Sequence, residues 1–188
     1  MERIEHFDFT PVTKKSVLRV VYSLRDFEMA GHALGYLRDS VDFTAGYKRD
    51  KLVKFSCYET AAIISFCRPI SKDSDGNRLS FEEIGVTLST EETELIKLLR
   101  RLRDKIFAHS DVEEMHYRID LIDPKIDGIK LPFPHIQFDF SLKLSEEQTR
   151  LMAEIISNLC RQINRYIILL AKEKPKLVEK YVYPTHSQ

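Results

Sequence analysis

Apolar residues recur every three or four positions along the first third of the chain, and this spacing predicts two long α-helices. The first is expected from about residue 14 to 38, with Thr13 as its N-cap. The second is expected over 50–68 and is apolar almost all round, which is typical of a helix at the centre of a bundle. Pro69 is expected to end it, since proline and its preceding residue disfavour helical backbone.

The same spacing returns in two later segments. Ser89 or Thr90, followed by several glutamates, is expected to begin a third helix that runs towards residue 109. The fourth is expected to begin at Ser145, in a capping box closed by Gln148, and to reach about residue 172. Helices therefore account for most of the predicted structure.

Between the third and fourth helices the period changes to two. Apolar and polar residues alternate over 115–122 and 136–142, which predicts a β-hairpin between about 114 and 142. Two strands alone are marginally stable, so the hairpin is expected to pack against the helices. The predicted fold class is mainly α, a helical bundle with a β-hairpin inserted before the last helix. One domain is expected over 1–188, with 173–188 as a C-terminal extension.

Composition narrows the class of protein. The 188 residues are 43% hydrophobic, which favours a packed domain over a disordered chain. Lys plus Arg equals Asp plus Glu at 29 each, so nucleic-acid contact requires a local basic patch.

Neither a signal peptide nor a membrane span is recognisable, and a cytoplasmic protein is expected. Three cysteines without a CxxC pair are interpreted as buried thiols in a reducing compartment: Cys57, Cys67 and Cys160.

The third helix carries the residues with the clearest chemical potential. With about 100° between residues, one apolar arc gathers Leu95, Ile96, Leu98, Leu99, Leu102, Ile106 and Phe107. Arg103 and His109 interrupt this arc, where an arginine is costly unless it is paired or opens onto a polar cavity. His109 could simply cap the helix, and Arg103 could extend its head into water from the edge of the arc. The alternative is a functional pair.

The stretch from Arg103 to Asp111 resembles the signature of the HEPN superfamily. That signature is an arginine, often followed by Asn, Asp or His, with a histidine after four to six residues. Here Asp104 follows Arg103, and five residues precede His109, whereas many members have four. The preceding helix, with Tyr58-Glu59 before small and aliphatic residues, looks like that of abortive-infection HEPN proteins, so the resemblance covers about 50–111.

The resemblance implies metal-independent RNA cleavage, in phage defence or a toxin–antitoxin system, with Arg103, His109 and Asp104 as catalytic residues. An imidazole can transfer the proton of a ribose 2′-OH, and a guanidinium can stabilise the charge on a phosphorane. Glu59 is a possible counter-charge for Arg103, although it could equally face solvent. A basic surface that could bind RNA is formed by Lys97, Arg100, Arg101 and Lys105.

Neither a cofactor nor a metal is expected. His109, Asp111 and His116 lie close in sequence, but their spacing fits no established metal-ligand pattern. Asp104 lies opposite the apolar arc on an α-helical wheel, so its expected role is to orient the following loop or to contact a partner subunit.

The expected partners are a second copy of the chain, RNA and an antitoxin protein. On a straight α-helix Arg103 and His109 diverge by about 120°, so one motif is poorly placed to hold a phosphate from both sides. A homodimer would gather two such pairs, and part of the apolar arc would then be interface. The alternative is a HEPN-like module without catalysis that binds a partner protein or a nucleotide.

Overall fold

The chain folds mainly into α-helices, with a small antiparallel hairpin before the last long helix, as predicted. The computed structural model describes residues 9, 12–72, 76–107, 117–122, 125–126, 129–130 and 133–178. The helices are α1 (Lys14–Ser40), α2 (Arg49–Ile70), α3 (Thr90–Leu102), α4 (Glu146–Glu173) and the short α5 (Pro175–Val178). A π-helical turn, Arg103–Phe107, continues α3 without a break.

Side-chain caps determine where three of the helices begin. Thr13, Ser89 and Ser145 each accept a hydrogen bond from the backbone N–H three residues later. In each case the side chain at that third position bonds back to the N–H of the capping residue, which completes a capping box. The predicted starts at Thr13 and Ser145 are confirmed, and Ser89 rather than Thr90 is the cap of α3.

Helix α1 packs against both α2 and α4 to form the centre of the bundle. A β-carbon at Gly31 would lie 3.4 Å from Cγ2 of Ile156, at the short end of ordinary van der Waals contact, so α1 and α4 are closely packed at this point. Side chains from all four long helices fill the core, and its largest fully buried members include Phe27, Leu34, Ile63, Phe66, Leu99, Met152, Leu159 and Tyr166.

The predicted hairpin between 114 and 142 is confirmed. β1 (Tyr117–Ile122) pairs antiparallel with β4 (Phe133–Phe138), and β2 (Lys125–Ile126) pairs with β3 (Ile129–Lys130) inside that outer pair. Among the described residues, neither outer strand makes an extended contact with a helix. The expectation that the hairpin packs against the helical bundle is therefore wrong for β1 and β4.

Two other expectations need correction. Pro69 lies inside the last turn of α2 instead of stopping it. The carbonyls at this end are held from outside the helix: Nη2 of Arg19 bonds the oxygens of Arg68, Pro69 and Ser71 at 2.8–3.0 Å. Of the three free cysteines Cys67 is buried, but Cys57 is exposed. Within the described residues, every helix is too short or too polar to cross a membrane.

Candidate functional site

The apolar arc of α3 faces the interior of the protein. Leu95, Ile96, Leu99 and Leu102 are each at most 7% exposed. Burial of this face fixes the helix against α2 and α4, so its polar side remains at the surface, as do Asp104 and Lys105 in the turn that follows. The single chain buries these four residues, so they are not available to a partner, and the expectation that another part of the arc forms a dimer interface stays a prediction.

Arg103 is the first residue of the π-helical turn, and its side chain is 29% exposed. Its Nη2 donates a hydrogen bond to Oγ of Ser71 at 2.7 Å, and that hydroxyl donates to the carbonyl of Cys67 at 2.7 Å. Arg103 therefore docks the end of α3 onto the C-terminal end of α2, where the helix dipole favours a cation. Turns with π-helical geometry occur frequently at functional sites.

The carboxylate of Asp104, the next residue in sequence, lies beside the guanidinium of Arg103. Oδ1 of Asp104 lies 2.8 Å from Nε of Arg103, which makes an ion pair. The Nε–H is not directed at that oxygen, and it has no hydrogen-bond partner in the described part of the chain. The wheel placed Asp104 on the far side of an α-helix, but in the structure it contacts Arg103 itself. The side chain of Asp104 is 55% exposed, so this pair adds little stability by itself.

The charge of Arg103 also reaches a buried thiol. Burial raises the pKa of Cys67 to about 12, and the nearby positive charge of Arg103 opposes this rise only in part. The thiol therefore stays protonated at neutral pH, and it does not serve as the counter-ion of Arg103.

Glu59 does not pair with Arg103, and that prediction is wrong. Its carboxylate is 1% exposed and accepts hydrogen bonds from the backbone N–H groups of Lys143 and Leu144 at 2.8–2.9 Å. The expectation that it faces solvent also fails. Burial raises the pKa of Glu59, while the two N–H donors and the charge of Lys143 lower it in part. Glu59 thus ties the segment after the hairpin to α2.

The four basic residues proposed to bind RNA are all exposed along the outer side of α3 and its π-helical turn: Lys97, Arg100, Arg101 and Lys105. Lys97 forms an exposed ion pair with Glu94, with Nζ 2.7 Å from Oε1. The exposure that a phosphate-binding surface requires is therefore present, and its role in RNA binding stays a prediction.

His109 lies outside the described residues, and so do Asp111 and His116. The pairing of His109 with Arg103 stays a prediction. Among the described residues, no three His, Cys, Asp or Glu side chains are grouped as a metal ion would require.

Sequence reasoning missed two residues that position this site. Arg19 and Ser71 hold the C-terminal end of α2, and Ser71 also receives Arg103. A serine after a helix and an arginine in a helix are both common, so spacing alone gave no signal for either.

Neither a family model nor a curated protein nor a solved structure matches the chain.

Proposed function

We propose that this chain is a metal-independent endoribonuclease of the HEPN type, acting in phage defence or in a toxin–antitoxin system. The observation that carries the proposal is the guanidinium of Arg103. Ser71 and Asp104 hold it at a surface turn while 29% of the side chain stays exposed. A cation fixed in this way can stabilise charge that develops on a bound phosphate without first being reorganised. In sequence, His109 follows at a distance within the range of the HEPN signature.

In this proposal His109 accepts the proton of a ribose 2′-OH, and the resulting oxygen attacks the adjacent phosphorus. Arg103 stabilises the negative charge of the phosphorane with its planar fork of donors. The imidazolium then returns the proton to the departing 5′-oxygen. The products are a 2′,3′-cyclic phosphate and a free 5′-hydroxyl. Asp104 orients Arg103 through their ion pair, and exposed Arg100, Arg101 and Lys105 bind the flanking phosphates.

A homodimer belongs to the same proposal. Because Arg103–Phe107 is π-helical, the angle between Arg103 and His109 expected on a straight α-helix does not apply, and it no longer argues for two copies. The remaining argument is that a twofold axis gathers two arginines and two histidines around one RNA. An antitoxin protein that covers these arginines and histidines would be a further partner.

A second candidate function is a HEPN-like module that binds a partner protein or a nucleotide without catalysis. The observation in its favour is that Arg103 has a structural task, because its Nη2 joins α3 to Ser71 at the end of α2. A net charge of zero also gives no general attraction for RNA.

A nuclease assay distinguishes the two functions. Purified protein should cleave a labelled single-stranded RNA in excess EDTA, and mass spectrometry should show products that end in a 2′,3′-cyclic phosphate. DNA of the same sequence should stay intact because it lacks the attacking hydroxyl. Folded protein that is inert on several unrelated RNAs, or cleavage that EDTA abolishes, would contradict the proposed mechanism.

A further inference from the structure

The outer hairpin has one apolar face. Residues that stand opposite each other in an antiparallel pair share a face, and Ile119 stands opposite Ile136, as Leu121 does opposite Pro134. Phe138 lies on the same face, two residues after Ile136. These five residues are called the apolar hairpin face below. The register places Arg118, Asp120, His135 and Gln137 on the other face, together with Phe133 at the start of β4, which is 59% exposed.

The apolar hairpin face is open to solvent, although it carries no charge. Ile119 is 55% exposed, Leu121 75%, Ile136 45% and Phe138 49%, and Pro134 is exposed as well. The other face carries an ion pair, with Nε of Arg118 2.9 Å from Oδ1 of Asp120. Within the described residues no helix packs extensively on the hairpin. A two-stranded hairpin has only marginal stability by itself. A contiguous apolar surface on such a hairpin indicates a site of interaction with another protein.

We propose that the apolar hairpin face of one copy packs against the same face of a second copy, related by a twofold axis. Because every residue of the face is uncharged, this pairing removes no charge from water. The net charge of zero means that two copies do not repel each other as wholes. An axis near the central pair, Ile119 and Ile136, would place apolar residues opposite apolar residues across the whole interface.

The available area suits a reversible dimer. If a large apolar residue exposes about 200 Å² when free, then Ile119, Leu121, Ile136 and Phe138 of two copies offer on the order of 900 Å². Specific interfaces begin at about 1,000 Å² in total, and Pro134, which is exposed on the same face, adds to the estimate. The interface is therefore at the small end of the specific range.

The position of the hairpin gives this dimer a consequence for the motif. β1 begins at residue 117, ten positions after Phe107, and ten residues span at most about 35 Å. Pairing of two hairpins would therefore keep the two Arg103-to-His109 segments in one assembly. This consequence rests on the proposed ribonuclease function, whereas the dimer itself does not.

Charges placed on each face of the hairpin test the interface. Sedimentation velocity over a concentration series should show a monomer–dimer equilibrium for the wild-type chain. In Leu121→Asp with Ile136→Asp, the dimer dissociation constant should rise at least about 100-fold, because carboxylates would be buried at the contact. The matched control, His135→Asp with Gln137→Asp, adds as many charges to the opposite face and should change the constant less than about threefold. Circular dichroism verifies that both variants fold.

Cross-linking provides a second measurement that does not depend on disrupting the interface. In a background with Cys57→Ser and Cys160→Ser, Ile136→Cys should join two copies through a short bismaleimide, since stacked sheets lie about 10 Å apart. Gln137→Cys, on the opposite face, should not.

The outcomes separate this proposal from the ribonuclease proposal. A wild-type chain that stays monomeric at all concentrations overturns the interface and leaves the face to a different protein partner. A dimer that the aspartates leave intact, or equal cross-linking at positions 136 and 137, overturns it too. RNA cleavage by a monomer would contradict the interface and the homodimer of the ribonuclease proposal but not the nuclease chemistry, while an inert dimer would contradict the nuclease alone.

Discussion

Replacing His109 by alanine is expected to slow RNA cleavage about 10²–10⁴-fold, because general acid–base catalysis contributes that much when a positioned imidazole transfers the proton. Single-turnover cleavage of a saturating RNA measures the loss in the chemical step. The pH profile provides a further test, since the wild-type rate should follow the titration of an imidazole and the residual rate of the variant should not. Circular dichroism should show unchanged helical content.

The companion change, Arg103→Ala, is expected to cost about 10²–10³ in rate, as when a donor to a developing negative charge is removed. Its interpretation needs a control, because Arg103 also docks α3 onto Ser71. Ser71→Ala removes that anchor but keeps the guanidinium and its ion pair with Asp104. If Arg103 is catalytic, Ser71→Ala should retain far more activity than Arg103→Ala at equal stability.

The surface variant Arg161→Ala provides a matched loss of charge, since among the described residues Nη2 of Arg161 bonds locally, to Asn158 within α4. It should cleave RNA at nearly the wild-type rate. If all three arginine and serine variants lose activity only in proportion to their folded fraction, Arg103 is structural and the binding module becomes the better function.

Local periodicity was sufficient to predict the helices and the hairpin. Thr13 and Ser145 bond within their own first turns, so their capping roles depend on neighbours that the sequence displays directly. The end of α2 differs from the prediction because its hydrogen-bond partner lies far away in sequence. The carbonyls of Arg68 and Pro69 are bonded by Arg19, about fifty positions earlier in the chain. Such long-range partners leave no periodic trace.

In the candidate site, too, burial follows from the local sequence whereas hydrogen-bond partners do not. The buried side of α3 follows from spacing, and Leu99 and Leu102 are in the core as expected. The partners of its polar residues do not follow from spacing. On the wheel Glu59 is a possible counter-charge for Arg103 or a solvent-facing residue, yet in the structure it bonds backbone 84 and 85 positions later in the chain. Partner choice depends on tertiary packing, which a helical wheel does not contain.

Glu59→Ala is expected to lower the free energy of unfolding by about 3–5 kcal/mol. The substitution leaves the part-buried N–H of Lys143 and the buried N–H of Leu144 without their acceptor, at about 1–3 kcal/mol each, and it opens a cavity. Urea unfolding followed by circular dichroism measures the change. The exposed Glu94→Gln is the control, and it should shift stability by less than about 0.5 kcal/mol. A loss of under about 1 kcal/mol for Glu59→Ala would show that solvent replaces the carboxylate and that Glu59 is not a structural anchor.

The pH dependence identifies the ionisation of this carboxyl group. Burial raises the pKa of Glu59 in the folded chain above its ordinary value of 4.5, so the folded state binds this proton more tightly than the unfolded state. The stabilising contribution of the protonated form is then fully present below pH 4.5, and it is lost as pH rises through the folded pKa. Glu59→Gln keeps one oxygen acceptor and does not titrate. The difference in unfolding free energy, wild type minus Glu59→Gln, should therefore fall as pH rises from about 4.5. Taking this difference cancels the contribution of Glu83, whose pKa burial also raises. A difference that stays constant or increases over this range would show that the bonds from Lys143 and Leu144 outweigh burial, and that Glu59 is held as the carboxylate.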